Sequence, residues 1–344
     1  MRNIEKYNQI EEGDFIRLNG NESPFNLKEE ALEEILKKIK LASFNRYPES
    51  ENLNLREAYS KYIGIDKDSI ICGNGSDEMI ALVINSLINK GDKVLTLNPD
   101  FSMYDYYVQI NEGNLLKIDC KEDGSYKIED FLSIREKKEI RLIIFSNPNN
   151  PTGFTIKNND IEKLLKEYKN AKILIDEAYT EFNEETIIEK IKDYDNLLVT
   201  RTLSKAFGLA SIRVGFLIGN KNLIQSLNNN KVPYNVNSIS QIIGCEILKD
   251  TDSINSSIKY IKNERERLFN RLKEIQNANN LDIKFYKSFG NYIFGRSKSK
   301  EELVNYLKEN KILIRSFKDD SFRISVGSFS ENNILIDKIN SFYN

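Results

Sequence analysis

The stretch LLVTRTLSKAFGLASIRVG, residues 197–215, starts as a strand and runs into a cluster of reactive side chains. Leu197 to Thr200 is a short apolar run of the kind found in strands covered on both faces. A polar, glycine-punctuated segment follows. Lys205 lies there among small and apolar neighbours. Loss of water would lower the pKa of its amine and make it a nucleophile or Schiff-base former. The competing reading is one more surface charge among many lysines. Arg213 comes eight residues later, inside Ser211 to Gly215, where an internal arginine calls for an anion.

The same pattern recurs on either side. Ser69 to Cys72, Val94 to Leu97, Leu142 to Phe145 and Ile173 to Ile175 are continuous apolar runs. Helical patterns such as Asp77 to Asn89 and Asp160 to Tyr168 separate them. Such alternation predicts an α/β body with a mostly parallel sheet between helices. Ligands of such sheets bind beyond the carboxyl ends of the strands, and polar clusters follow four of these runs. Gly73 to Glu78 opens a helix, where free amides and the helix dipole suit a phosphate, although a tight connection would look the same. Ser146 to Gly153 reads SNPNNPTG. Asp176 to Tyr179 reads DEAY, and Asp176 is either a turn acid or the partner of a bound cationic heterocycle.

Outside this body, Asn26 to Lys40 predicts an amphipathic helix capped by Asn26, with Glu29 completing a capping box. Ser253 to Gln276 predicts a long helix whose apolar spacing Arg265 interrupts. Short strand patterns follow at Ile283–Tyr286, 291–294, Ile312–Ile314 and 322–326, mixed with two helices. We expect a large domain over 45–250 and a smaller α+β domain from 1–44 and 251–344.

Composition narrows the chemistry. The 344 residues include no histidine, which removes Ser-His-Asp and Cys-His catalysis and histidine-ligated metals. Fifty Lys and Arg against 52 Asp and Glu leave a formal charge of −2, giving no reason to expect nucleic acid or an anionic membrane as partner. Cys72, Cys120 and Cys245 are odd in number and widely spaced, so no disulfide framework or thiolate metal site is expected. No apolar run approaches the ~18 residues of a membrane span. The N-terminus carries no apolar leader. A cytoplasmic protein without metal is the expectation.

The segments SNPNNPTG, IDEAY and RTLSKAFGLASIRVG resemble the signatures of fold-type-I, pyridoxal-phosphate-dependent aminotransferases. LNGNESPF (18–25), NRYPES (45–50), GNGSDEMI (73–80), PDFSMY (99–104), GNYIF (290–294) and FRISVG (322–327) are similar to the histidinol-phosphate aminotransferase family, in order over nearly the whole chain. The resemblance implies that Lys205 forms a Schiff base with pyridoxal 5'-phosphate and then moves the substrate proton. Asp176 would hold the pyridine nitrogen protonated, Asn150 and Tyr179 would bond the ring oxygen, and Tyr104 would stack on the ring. The phosphate would take the turn at Gly75, the Ser76 and Asp77 amides, Thr202, Ser204 and Arg213, plus Tyr47 of a second subunit, implying a homodimer with shared sites. Arg323 would grip the substrate anion, with Arg315, Asn21, Tyr7 and Asn291 nearby. The implied reaction exchanges histidinol phosphate and 2-oxoglutarate for imidazole-acetol phosphate and glutamate. Threonine-phosphate decarboxylase and aromatic amino-acid aminotransferases share the fold and are the alternatives. Family departures are Lys6 before Tyr7, Lys311 ahead of the Arg315 strand, and a short link from Arg315 to Arg323.

Overall fold

The computed structural model describes residues 14–278 and 282–344. The described chain opens with β1 (Ile16–Leu18), α1 (Glu29–Ile39) and α2 (Leu53–Ile63). Next come β2 (Ile70–Asn74), α3 (Ser76–Leu87), β3 (Lys93–Asn98), α4 (Met103–Ile110), β4 (Asn114–Asp119), α5 (Ile128–Leu132) and β5 (Ile140–Ser146). They lead to α6 (Asn158–Glu167), β6 (Lys172–Asp176), β7 (Leu197–Thr202), β8 (Val214–Gly219), α7 (Lys221–Asn228) and α8 (Ser238–Ile247). The remainder is α9 (Thr251–Ala278), β9 (Ile283–Tyr286), β10 (Tyr292–Ser297), α10 (Lys300–Glu309), β11 (Ile312–Ser316), β12 (Ser321–Ser325) and α11 (Phe329–Tyr343).

Among the described residues these strands make two sheets. The larger has the order β2-β8-β7-β6-β5-β3-β4. Its neighbours run parallel from β7 across to β4, while β8 is antiparallel to both β7 and β2. The apolar runs are continuous because alternate residues fill opposite layers. Ile143, Phe145, Ile173 and Ile175 enter one core, and Leu142, Ile144 and Leu174 enter the other, which α3 and α4 cover with Met79, Val83 and Val108. β4 and β8 are strands that periodicity missed. Val214–Gly219 alternates nothing, since every one of its residues is buried.

The smaller sheet has the order β1-β11-β12-β10-β9, with β1 parallel to β11 and the other pairs antiparallel. Its Ile283, Ile312 and Ile324 share a core with Ile143 and Phe145 of the large sheet. The segment before β2 ties into both, through β1 on β11 and through α1 on α8. One expectation fails here. Asn26 does not cap α1, which starts three residues later behind Lys28 without a side-chain cap. The Asn26 side-chain carbonyl accepts the adjacent Leu27 N–H at 2.8 Å instead, a local bond that competes with capping. Arg265, the break in the α9 pattern, is 5% exposed and donates to the Gly290 carbonyl at 3.0 Å, joining α9 to the approach of β10.

Candidate active site

The carboxyl ends of β2, β5, β6 and β7 face one way, so the four polar clusters meet. Pairing of Gly215 with both Gly73 and Thr202 draws the α3 N-terminus, Thr202 and Arg213 together. Gly75 has φ +84°, and a Cβ there would lie 2.7 Å from Arg213 Nη2. At Gly215 a Cβ would meet the Ser76 nitrogen at 2.2 Å. Only glycine permits this approach. α3 has no side-chain cap, so the Ser76 and Asp77 amides point outward with the positive end of the helix dipole. Arg213 sits at φ 53°, a left-handed conformation, with Nη1 3.3 Å from Ser204 Oγ and Nη2 3.3 Å from Asp77 Oδ2. Thr202 donates to Ser204 Oγ at 2.9 Å. The arrangement is a cradle for an anion. Burial raises the Asp77 pKa and the Arg213 charge opposes the rise.

Asp176 ends β6 and is 4% exposed. Its two oxygens accept from Tyr104 (2.8 Å) and Thr200 (3.0 Å), and burial still pushes its pKa up to about 6. A carboxylate desolvated this far suits a cationic ring nitrogen. The Tyr104 ring is fully buried and its hydroxyl donates to Asp176, which ties this residue, expected to stack on a cofactor ring, to the buried acid.

Lys205 Nζ donates to the Gly20 carbonyl at 3.0 Å and lies 5.8 Å from the Tyr179 ring centre. Burial, helped by the Arg323 charge, lowers its pKa to about 8. The Asn21 amide donates to Tyr179 Oη at 2.9 Å and its backbone N–H to Ser325 at 2.8 Å. Asn291, wholly buried, donates to the Asn21 carbonyl at 3.0 Å. Arg323 donates to Asn150 Oδ1 and, at 2.8 Å, to the Asn19 carbonyl. Arg315 is its direct cross-strand partner, so both guanidinium stems leave the same face of the small sheet. The small sheet thus brings Arg323 beside Lys205 and Asn150, with Arg315 opposite it on the next strand, an arrangement suited to an anionic substrate.

Most of the expected residues therefore form one connected set. Tyr7 lies outside the described residues. Tyr47 is 82% exposed and stacks on Tyr234, with ring centres 4.8 Å apart. Sequence reading missed Thr200, Asn19, Ser325 and, just past the end of β3, Asp100. Asp100 carried a legible signal, since an acid two residues past an apolar strand is the same clue that singled out Asp176. It also missed the ion pair behind the site, in which buried Glu177 accepts from Arg201 Nη2 at 2.8 Å and Nε at 3.0 Å.

The geometry has counterparts. The family model described as aminotransferase class I and II matches residues 13–339. A histidinol-phosphate aminotransferase of Clostridium kluyveri is 40% identical, over 94% of this chain and 92% of that relative. The crystal structure of the histidinol-phosphate aminotransferase from Clostridium acetobutylicum superposes with a TM-score of 0.86 at 26% identity, covering 96% of this chain and 99% of the other. The enzyme from Sinorhizobium meliloti in complex with pyridoxal-5'-phosphate has the same fold, with a TM-score of 0.85 at 21% identity, covering 95% of this chain and 91% of the other. The anion cradle, the buried acid and the desolvated lysine thus stand on a fold-type-I scaffold, and the chain belongs to the histidinol-phosphate aminotransferase family of class I and II aminotransferases.

Proposed function

We propose that this protein is a pyridoxal-phosphate-dependent aminotransferase that exchanges histidinol phosphate and 2-oxoglutarate for imidazole-acetol phosphate and glutamate. One observation carries the reading. The Lys205 amine feels the charges of both Arg323 and the anion-cradle residue Arg213, and Arg315 stands opposite Arg323 on the next strand, so an amine, a phosphate and a second anion can be held together. The relatives' activity supplies the substrate identity. The residues present fit the cofactor. The cradle that a Cβ at Gly75 would fill is open to a phosphate, and Asp176 is a buried acid in want of a cation.

When bound, pyridoxal phosphate supplies a cationic ring that stabilises negative charge at the donor's Cα. The chain's own residues do the rest. Ser76 and Asp77 N–H, Thr202, Ser204 and Arg213 would hold the phosphate. Asp176 would keep a proton on the ring nitrogen, as an ion pair in its dry, low-dielectric surroundings. Asn150 and Tyr179 would donate to the ring oxygen. Lys205, with its pKa brought down to about 8, is partly neutral near physiological pH and takes the proton from the donor's Cα. Arg323 grips the phosphate of one substrate and the carboxylate of the other with a planar fork.

The proposed assembly is a homodimer in which Tyr47 completes the partner's phosphate site. Exposed Leu41, Phe44, Tyr47 and Val232, at 67–85% exposure, support a covered face. A cytoplasmic setting fits three free cysteines. No helix among the described residues is long and apolar enough to cross a membrane.

The test is a half-reaction on the cofactor-loaded protein. Histidinol phosphate should convert the bound chromophore stoichiometrically to its amine form, and 2-oxoglutarate should reverse it. A spectrum that responds to threonine phosphate with release of carbon dioxide, or to aromatic amino acids alone, would reassign the substrate.

A further inference from the structure

Asp100 has no part in the chemistry above, yet its carboxyl sits beside the active centre. It lies two residues past the end of β3. Its oxygens accept from the Ser146 N–H at 3.1 Å, the Ser146 hydroxyl and the Phe101 N–H at 2.8 Å. Ser146 is the last residue of β5 and the cross-strand neighbour of Asp176. The same hydroxyl accepts the backbone N–H of Asn150 at 2.9 Å, closing the turn that carries Asn150 into the cleft. Asn150 Oδ1 in turn meets Arg323. A chain of hydrogen bonds therefore runs from Asp100 through Ser146 to Asn150 and on to the substrate arginine.

We propose that Asp100 is a positioning residue, which through Ser146 fixes the Asn150 turn and thereby aims the Asn150 amide at the cofactor ring oxygen and at Arg323. The inference rests on the role given to Asn150 above. Three features favour aiming over mere support of the fold. The Ser146 hydroxyl is shared between the acid and Asn150, so one oxygen couples the two. The next residue, Asn147, is held by its N–H on the Asp176 carbonyl at 2.9 Å, which leaves the Asn150 end of the turn as the part Asp100 governs. Among the described residues no cation pairs with Asp100, and burial pushes its carboxyl up to about 8. Its bonds all come from donors, so it holds the turn as an acceptor, and asparagine would set its amide NH2 against the Ser146 or the Phe101 N–H.

The experiment is a pH titration of the absorbance of the Lys205-linked cofactor in wild type, D100N, D100A, S146A and N150A, with melting of each cofactor-free protein as a check on folding. A donor to the ring oxygen stabilises its anionic form, so N150A should raise the midpoint by about one pH unit. D100A, D100N and S146A should each raise it by about half a unit or more. D100A should also raise the KM for both anionic substrates more than it lowers kcat, because Arg323 loses its fixed neighbour. Should D100A fold poorly, S146A carries the same test without touching the acid. A midpoint that moves in N150A but stays put in both D100A and S146A overturns the inference alone. A midpoint unmoved in N150A removes the role of Asn150 and the inference with it.

Discussion

Replacing Asp176 by asparagine should stabilise the cofactor-free protein while abolishing its function. Burial lifts the carboxyl from its ordinary 3.8 to about 6, against the pull of the Tyr104 and Thr200 hydroxyls. A folded-state pKa above the unfolded value means that ionisation opposes folding. The penalty is absent below the unfolded pKa, grows as pH rises through the window from 3.8 to about 6, and is complete above it. At about 1.4 kcal/mol per pH unit, it amounts to roughly 3 kcal/mol at about pH 7.5 and about 1 kcal/mol at about pH 4.5. The amide of D176N cannot ionise, and the two hydroxyls can turn to serve it. The stability gap between D176N and wild type should therefore shrink by about 2 kcal/mol between about pH 7.5 and about pH 4.5. Urea unfolding of cofactor-free protein at fixed concentration measures it. Titrating groups that do not feel the Asp176 charge cancel between the two proteins, and Asp100, whose pKa that charge helps to raise, adds to the measured gap only above neutral pH. Saturation with pyridoxal phosphate should reverse the order, because the ring cation meets the wild-type carboxylate and finds no charge in the variant. A gap independent of pH in the cofactor-free proteins would refute the claim that Asp176 is held there under electrostatic strain.

Three further outcomes are expected. Lys205→Ala should keep its fold and bind pyridoxal phosphate through the cradle without covalent attachment. Dialysis should then strip the cofactor, and turnover should fall by at least ~10³-fold. Arg201→Met leaves Glu177, 1% exposed, buried without its partner, and urea unfolding should show a loss of about 3–5 kcal/mol. If Tyr47 serves the neighbouring subunit, Tyr47→Ala should weaken cofactor affinity by about tenfold. At a cofactor concentration too low to fill Tyr47→Ala, refolding it together with Lys205→Ala should then give more activity than the two variants show separately, since each mixed dimer holds one whole site. Absence of complementation would put Tyr47 outside the shared site.

Legibility in the sequence followed the physics of each feature. The strands β3, β5, β6 and β7 were readable because both of their faces are dry, which leaves a continuous apolar run. β8 is equally dry, but its glycines and its position straight after Arg213 hid it inside the loop that sequence reading assigned to chemistry. β1 is three residues long and exists only because β11 receives it, a non-local cause that no window of sequence contains. At the site, Lys205, Asp176 and Arg213 stood out because their residue types are expensive where they stand. Thr200, Ser146 and Ser325 did not, since a serine or threonine in a strand is ordinary until its partner is known. The misread Asn26 cap shows the converse, where a local pattern was satisfied by a nearer donor.

The bond between Asn21 and Ser325 joins residues 304 positions apart. During synthesis the seven-stranded sheet has all its members once β8 has left the ribosome, so the phosphate side can form early. The segment holding Ile16, Leu18, Asn19 and Asn21 is made first and finishes last, for it must wait for β11 and β12. At about 5–20 residues per second that delay is on the order of 15–60 s. For roughly the last 5–20 s of it, between β8 and β12, a half-built enzyme has a cradle for the cofactor's phosphate and no arginine pair to choose a substrate. Early capture of pyridoxal phosphate would give the nascent chain a folded half before its specificity exists.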